Sequence, residues 1–350
     1  MRKLSFGLLK GGGNLFSRPT GENKKSLLSK IKSIFYQVYT NFFQYPDECW
    51  AWYSINKKKA LQIANTFKPD FILSSSMPVS SHLLAAHIVG KIGSPWAADF
   101  RDLWVADYQV KRTKKMETRI LNWQKDILKD VSFTVTVSQP DKQLLKMQSE
   151  KDGIVVYNGF EQVNEPVHVK NSKINIVYTG MLYDSLQDVE LLFKVLKRVK
   201  DLEIYFTYFG ISSPLIEMYA KKNDVLDRCN IKGLVTQNEA EIIQSEADLL
   251  LFLTYNVSGC ISGKLFEYLG ASKPILALGP HEKSACSIID ETSCGKWFDN
   301  EQNAAEYLEL KLNDKIKNGI VDYIPKSARN TYSRKQQNIA LSNKIKSFLN

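Results

Sequence analysis

The chain has 350 residues, is 44% apolar and carries a formal net charge of +10, enough material for two cores and hence for two domains. Its five cysteines are scattered with no Cys-x-x-Cys pair, which argues against metal and disulfide frameworks and for a reducing, cytoplasmic setting. Basic residues at the N-terminus are followed by no apolar core of a signal peptide. The long uncharged stretch from Phe71 to Gly90 holds five serines and a proline, unlike a membrane span.

In chain order, Gly11-Gly12-Gly13 invites a phosphate-loop reading, but neither a strand before it nor a βαβ unit around it supports one. The stretch 24–43 has lysines early and aromatics late at helical spacing. It fits a helix in an anionic bilayer interface, and at least as well a helix packed on its own domain with a solvated basic face. Further basic clusters fall at Lys57-Lys58-Lys59 and at Lys111-Arg112-Thr113-Lys114-Lys115. No nucleic-acid-binding motif accompanies this charge, so nucleic acid is not expected as a partner and an anionic membrane surface is the better candidate.

From Asp70 the pattern alternates between short apolar runs and helical periods. Strands are expected over 70–74, 95–99, 132–137 and 153–157, with helices over 81–91, 115–129 and 140–147. A polar interval, 161–173, precedes a second alternating series. Its strands are expected over 174–179, 202–207, near Ile231, over 248–253, 274–278 and 296–298. Its helices are expected over 188–200, 214–222 and 239–246, from Ser262, and through Ile289. Strands separated by helices imply parallel sheets, so the expected class is α/β with two Rossmann-like domains. The expected division is 1–165, 166–330 and a basic amphipathic C-terminal helix over 331–350. Only four strands are evident in the first part, which therefore reads as a shortened domain.

The segment Ser262-Gly263-Lys264-Leu265-Phe266-Glu267 is the most informative. A Ser-Gly pair opening a helix leaves backbone N–H groups open to an anion. Lys264 adds a cation in a turn that normally favours acids, an imbalance an anionic ligand would relieve. Glu267, three residues on, lies on the same helix face, where it could accept hydroxyl hydrogen bonds from a ribose. An ordinary solvated Lys/Glu pair accounts for the spacing equally well. Asp99, Arg101 and Asp102 follow an apolar strand, so at least one should be partly desolvated in a cleft, where such a group could orient a hydroxyl or balance developing charge. An Arg/Asp pair fixing the loop before Trp104 is the alternative. His82 and His87 fall in an apolar helical stretch and read as packing residues, whereas His281 follows a strand end that could approach the cleft.

Taken together, Ser262 to Leu269 with Lys273-Pro274, Tyr178-Thr-Gly180, Tyr157-Asn-Gly-Phe160 and Asp99-Phe-Arg-Asp-Leu-Trp104 resemble family-4 glycosyltransferases of the GT-B fold, in their bacterial surface-polysaccharide branch (capsule, lipopolysaccharide). The resemblance runs from about Tyr45 to the C-terminus. It implies two domains facing across a cleft, a nucleoside-diphosphate sugar donor (UDP-linked rather than GDP-linked), a saccharide or lipid-linked acceptor, retention at the transferred sugar, and no metal or other cofactor. It further implies donor contacts from Gly180, Val235, Ser262, Gly263, Lys264, Leu265 and Glu267, with Asp99, Arg101 and Asp102 facing the reaction from the first domain. The absence of an Asp-x-Asp motif agrees on the metal. Three positions depart from the pattern: Gly259 stands where relatives often carry a glutamate, Met181 to Gln187 lacks the usual Arg and Lys, and the first strands with their early Gly-rich loop are missing. A nucleotide-sugar epimerase of the same fold, and a non-catalytic nucleotide- or partner-binding remnant, remain alternatives.

Overall fold

The structure, a computed structural model, describes residues 47, 49–104, 113–161, 163, 167–257, 259–321 and 326–349. The Gly11–Gly13 run, the 24–43 stretch and Lys111-Arg112 lie outside the described residues.

Two parallel sheets organise the chain. In the first, β1 (Ile72–Ser76), β2 (Trp96–Phe100), β3 (Phe133–Thr136) and β4 (Gly153–Val155) lie in sequence order. Helices α1 (Trp50–Phe67), α2 (Ser80–Ile92), α3 (Lys114–Ile127) and α4 (Gln139–Ser149) precede and connect these strands. The second sheet has the order β10-β9-β8-β5-β6-β7, with β5 (Ile174–Thr179), β6 (Ile204–Phe209), β7 (Cys229–Lys232), β8 (Leu249–Leu253), β9 (Ile275–Leu278) and β10 (Gly295–Phe298). That is a doubly wound sheet whose strand order reverses between β5 and β8. Ligands bind such sheets outside the carboxyl ends of the strands at this switch point.

Burial on both faces explains why β8 is apolar at every position. Leu249, Leu251 and Leu253 enter one core with α5 (Val189–Arg198) and α10 (Glu301–Asn318), while Leu250 and Phe252 enter the other with α8 (Gly263–Ala271) and α9 (Lys283–Thr292). Each such side chain contributes about 1.5–3 kcal/mol by leaving water. The remaining connections are α6 (Ser213–Lys222) and α7 (Gln237–Glu246). Helix α10, which the apolar pattern did not announce, starts at an Asn300 cap and stops at left-handed Gly319. It carries a fully buried lysine: Lys315 Nζ donates to Asp248 Oδ1 and to the Lys173 carbonyl, both at 2.6 Å. Asp248 Oδ2 accepts from the Asn175 amide, so one ion pair ties α10, β5 and β8 together.

Helix α11 (Arg334–Lys346) returns to the first domain. Leu341 and Ile345 pack on Phe133 and Val135, and Phe348 stacks on Phe133 with centroids 5.4 Å apart. The two crossings between domains run side by side. Phe160 bridges Ser333, and a Cβ on Gly159 (φ +65) would stand 2.9 Å from the Arg334 nitrogen and the Tyr332 oxygen.

Candidate active site

The residues at the β5/β8 switch point form a small cationic recess. Gly180 ends β5 at φ +119, and its amide donates to the Phe209 carbonyl. Its own carbonyl accepts from Tyr208 Oη at 2.8 Å. A Cβ on Gly180 would lie 2.6 Å from Lys264 Nζ and 2.7 Å from its Cε, so the glycine leaves room for the lysine. Nζ also sits 5.6 Å from the Tyr178 ring centre, over its face, where the ring's negative quadrupole favours a cation.

Lys264 is 4.0 Å from Glu267 Oε2, and Gln244 Nε2 approaches the same carboxylate at 3.4 Å while donating to Thr179 Oγ1 at 2.9 Å. Burial lowers the Lys264 pKa, and Glu267 opposes that shift. A desolvated cation with one distant partner at a helix N-terminus is electrostatically short of negative charge.

The helix start is partly satisfied by its own cap. Ser262 caps α8, its side chain accepting from the Lys264 amide, while the Leu265 amide bonds to the Ser262 carbonyl. A Cβ on Gly263 would meet only the Asn158 amide group, at 3.9 Å, so this end of the helix opens on free space. The Leu265 side chain is buried in the core beneath and offers the recess nothing polar. Val235 is half-buried in the loop between β7 and α7, at the edge of the sheet and two strands from β5.

From the first domain, Arg101 reaches the same place. Its guanidinium bonds to Asn158 Oδ1, to the Val156 carbonyl at 3.1 Å and to Asp99 Oδ1 at 3.5 Å. Ser75 Oγ donates to Asp99 Oδ2 at 2.7 Å. Asp99 and Arg101 are thus both partly desolvated, with side chains 16% and 29% exposed, and they fix the loop while setting Asn158 against Gly263. Asp102 is exposed, and its charge acts on Asp141 and Cys260.

Asp141, Glu282, Asn158, Tyr178 and Gln244 were not singled out as site residues from the sequence. The Ser138-Gln-Pro-Asp141 spacing after an apolar strand is a helix-start signal that could have drawn attention to Asp141. His82 packs on Phe100 at 4.5 Å and bonds to Ser74, burial pushing its pKa down to about 3. His281 is exposed and stands edge-on to Trp297. All five cysteines are free thiols. Among the described residues, no three His, Cys, Asp or Glu side chains are grouped so as to hold a metal ion.

No known family profile matches the sequence, and no curated protein does. Solved structures do match. A glycosyltransferase from Rickettsia africae superposes with a TM-score of 0.64 at 14% identity, over 84% of this chain and 80% of that one. Anabaena HepE, crystallised with UDP, gives 0.63 at 13% identity, over 83% and 82%. The lipopolysaccharide outer core galactosyltransferase WaaB gives 0.56 at 15% identity, over 84% and 80%. At these identities the likeness establishes the fold, two Rossmann-like domains facing across a cleft in the GT-B manner.

Proposed function

We propose that the chain is a glycosyltransferase that moves a sugar from a nucleoside-diphosphate donor, UDP-linked, to a saccharide or lipid-linked acceptor in cell-surface polysaccharide assembly, with retention. The observation that carries this reading is Lys264, desolvated at the open N-terminus of α8 and given room by Gly180 at the switch point. That recess suits a diphosphate: the helix end and Lys264 meet the charge that grows on the leaving group, without a metal or other cofactor. Glu267 would accept the ribose hydroxyls, and Ser262 and Gly263 would supply the backbone of the cradle, joined by Leu265 once its amide exchanges the Ser262 carbonyl for the phosphate. Val235 would lie toward the base. In this reading residues 1–165 receive the acceptor, 166–330 hold the donor and 331–350 close the chain back on the first part. Asp99 and Arg101 would act on the acceptor side by holding Asn158, and Asp102 by its charge.

Work at the inner face of the plasma membrane fits helix α1. Trp52, Ile55, Ile63 and Phe67 are exposed beside Lys58 and Lys59, a combination that suits anionic headgroups. Among the described residues no helix is long and apolar enough to cross a membrane. Incubation with UDP-glucose, UDP-galactose and UDP-N-acetylglucosamine tests the reaction class. Release of UDP supports transfer, whereas conversion of the sugar with UDP still attached would make the chain an epimerase. Neither outcome, in a chain that binds no nucleotide, would leave a partner-binding protein.

A further inference from the structure

Glu267 stands at the rim of the recess, its side chain 38% exposed. Lys264, at 4.0 Å, balances its charge from beyond hydrogen-bond distance and does not orient it. Among the described residues, the one hydrogen bond to the Glu267 side chain comes from Gln244, whose Nε2 approaches Oε2 at 3.4 Å. Gln244 lies in the last turn of α7 and is 2% exposed. Burying a primary amide is costly unless its N–H groups find acceptors. Here the two N–H groups have two acceptors, Thr179 Oγ1 at 2.9 Å and Glu267 Oε2.

That amide joins three elements at the switch point. Thr179 is buried and closes β5, immediately before the Gly180 that makes room for Lys264. The shorter bond anchors the Gln244 amide on the strand, and its second N–H then faces the carboxylate on α8. A glutamine suits this place because it is neutral: it holds one carboxylate oxygen and leaves the anion its charge. A glutamate left loose on a helix rim samples several rotamers, and ordering it would weaken the binding of any ligand that needs it. Among the described residues no hydrogen bond engages Oε1 of Glu267, which leaves that oxygen for a ligand.

We propose that Gln244 is a positioning residue that, by holding Glu267, sets selectivity for ribonucleotides over 2′-deoxyribonucleotides. A fixed carboxylate loses a hydrogen bond when the ligand lacks a hydroxyl, whereas a loose one turns to water and discriminates less. The role rests on the donor-site reading of the same recess and adds to it the origin of sugar selectivity in the nucleotide.

Calorimetric affinities for UDP and 2′-deoxy-UDP test this on full-length wild type, Gln244→Met, Gln244→Asn and Glu267→Ala, with thermal melting to confirm that each variant folds. Wild type should favour UDP by about ten- to a hundredfold, the worth of a hydrogen bond to a charged group. Gln244→Met keeps the volume and removes both N–H groups. It should cut that preference by about five- to tenfold while binding 2′-deoxy-UDP within about twofold of wild type. Gln244→Asn, a methylene too short to span Thr179 and Glu267, should change the preference in the same direction, and it decides the matter if Gln244→Met does not fold. Glu267→Ala should abolish the preference. An unchanged preference in the Gln244 variants, or an equal loss of both ligands as a merely structural role would give, overturns the proposal. So does a preference that survives Glu267→Ala, or a wild type that binds the two nucleotides equally well. Failure of the wild type to bind either nucleotide overturns the underlying donor-site reading instead.

Discussion

Gly180→Ala is the sharpest perturbation of the recess, because its two consequences separate. The first is local strain: at φ +119 an L side chain costs about 1–3 kcal/mol, which should lower the thermal midpoint by a few degrees. The second is displacement of Lys264, whose Nζ and Cε stand 2.6 and 2.7 Å from the new methyl position. The lysine is flexible and will move, so that contact itself adds little to the stability loss. Moving it, however, withdraws a charged hydrogen-bond donor from a bound diphosphate, worth about 1.5–3 kcal/mol or roughly ten- to a hundredfold in affinity. Calorimetric titration with UDP across wild type, Gly180→Ala, Lys264→Ala and the double variant isolates this effect. The double variant should bind no more weakly than Lys264→Ala alone, a coupling of about the full lysine contribution. Additive losses, or a Gly180→Ala protein that binds UDP as wild type does, would refute the idea that the glycine reserves the place of Lys264.

Lys315→Ala should destabilise the second domain by about 3–5 kcal/mol, because it strands Asp248 in the core, whereas exposed Lys58→Ala should change chemical denaturation by no more than about 0.5 kcal/mol. Asp141→Asn should stabilise the chain at pH 8 and not at pH 4. Its folded pKa of about 6 exceeds the ordinary 3.8, so the folded state binds the extra proton and stability falls as pH rises between those values. The gain at pH 8, discounted for partial exposure, is about 1–2 kcal/mol by thermal unfolding across pH. Wild type should sediment with anionic vesicles at low salt and be released as salt rises, and Trp52→Ala with Ile55→Ala should weaken that binding. No binding at low salt would remove the membrane from the account.

What was legible in the sequence was what local pattern encodes. The wholly apolar Leu249 to Leu253 gave a strand buried on both faces, and the alternation of such runs with helical periods gave two parallel sheets. The Ser262 cap and its Lys264/Glu267 pair were visible for the same reason, since both lie within one turn of helix. Strand β1 was placed two residues early because the serine run looks like loop beyond Ser74. Ser74 and Ser76 are buried instead, Ser74 being satisfied by the Trp96 indole and His82. Helix α10 was missed because its buried stripe of Ala304, Ala305, Leu308 and Leu312 continues into Lys315, whose charge hides the period and whose partner Asp248 lies far away in the chain. The helix-start spacing marks Asp141 as a first-turn acid and no more: it faces Gly259, and no local spacing reports a contact made across two domains.

The central claim is that the β5/β8 recess holds the diphosphate of a nucleotide. Calorimetric titration of the purified chain with UDP, with GDP beside it and with Lys264→Ala and Glu267→Ala as variants, tests that claim most directly. The account predicts uridine-selective binding that weakens by about ten- to a hundredfold in each variant. Binding of neither nucleotide, or UDP binding indifferent to both substitutions, would contradict it.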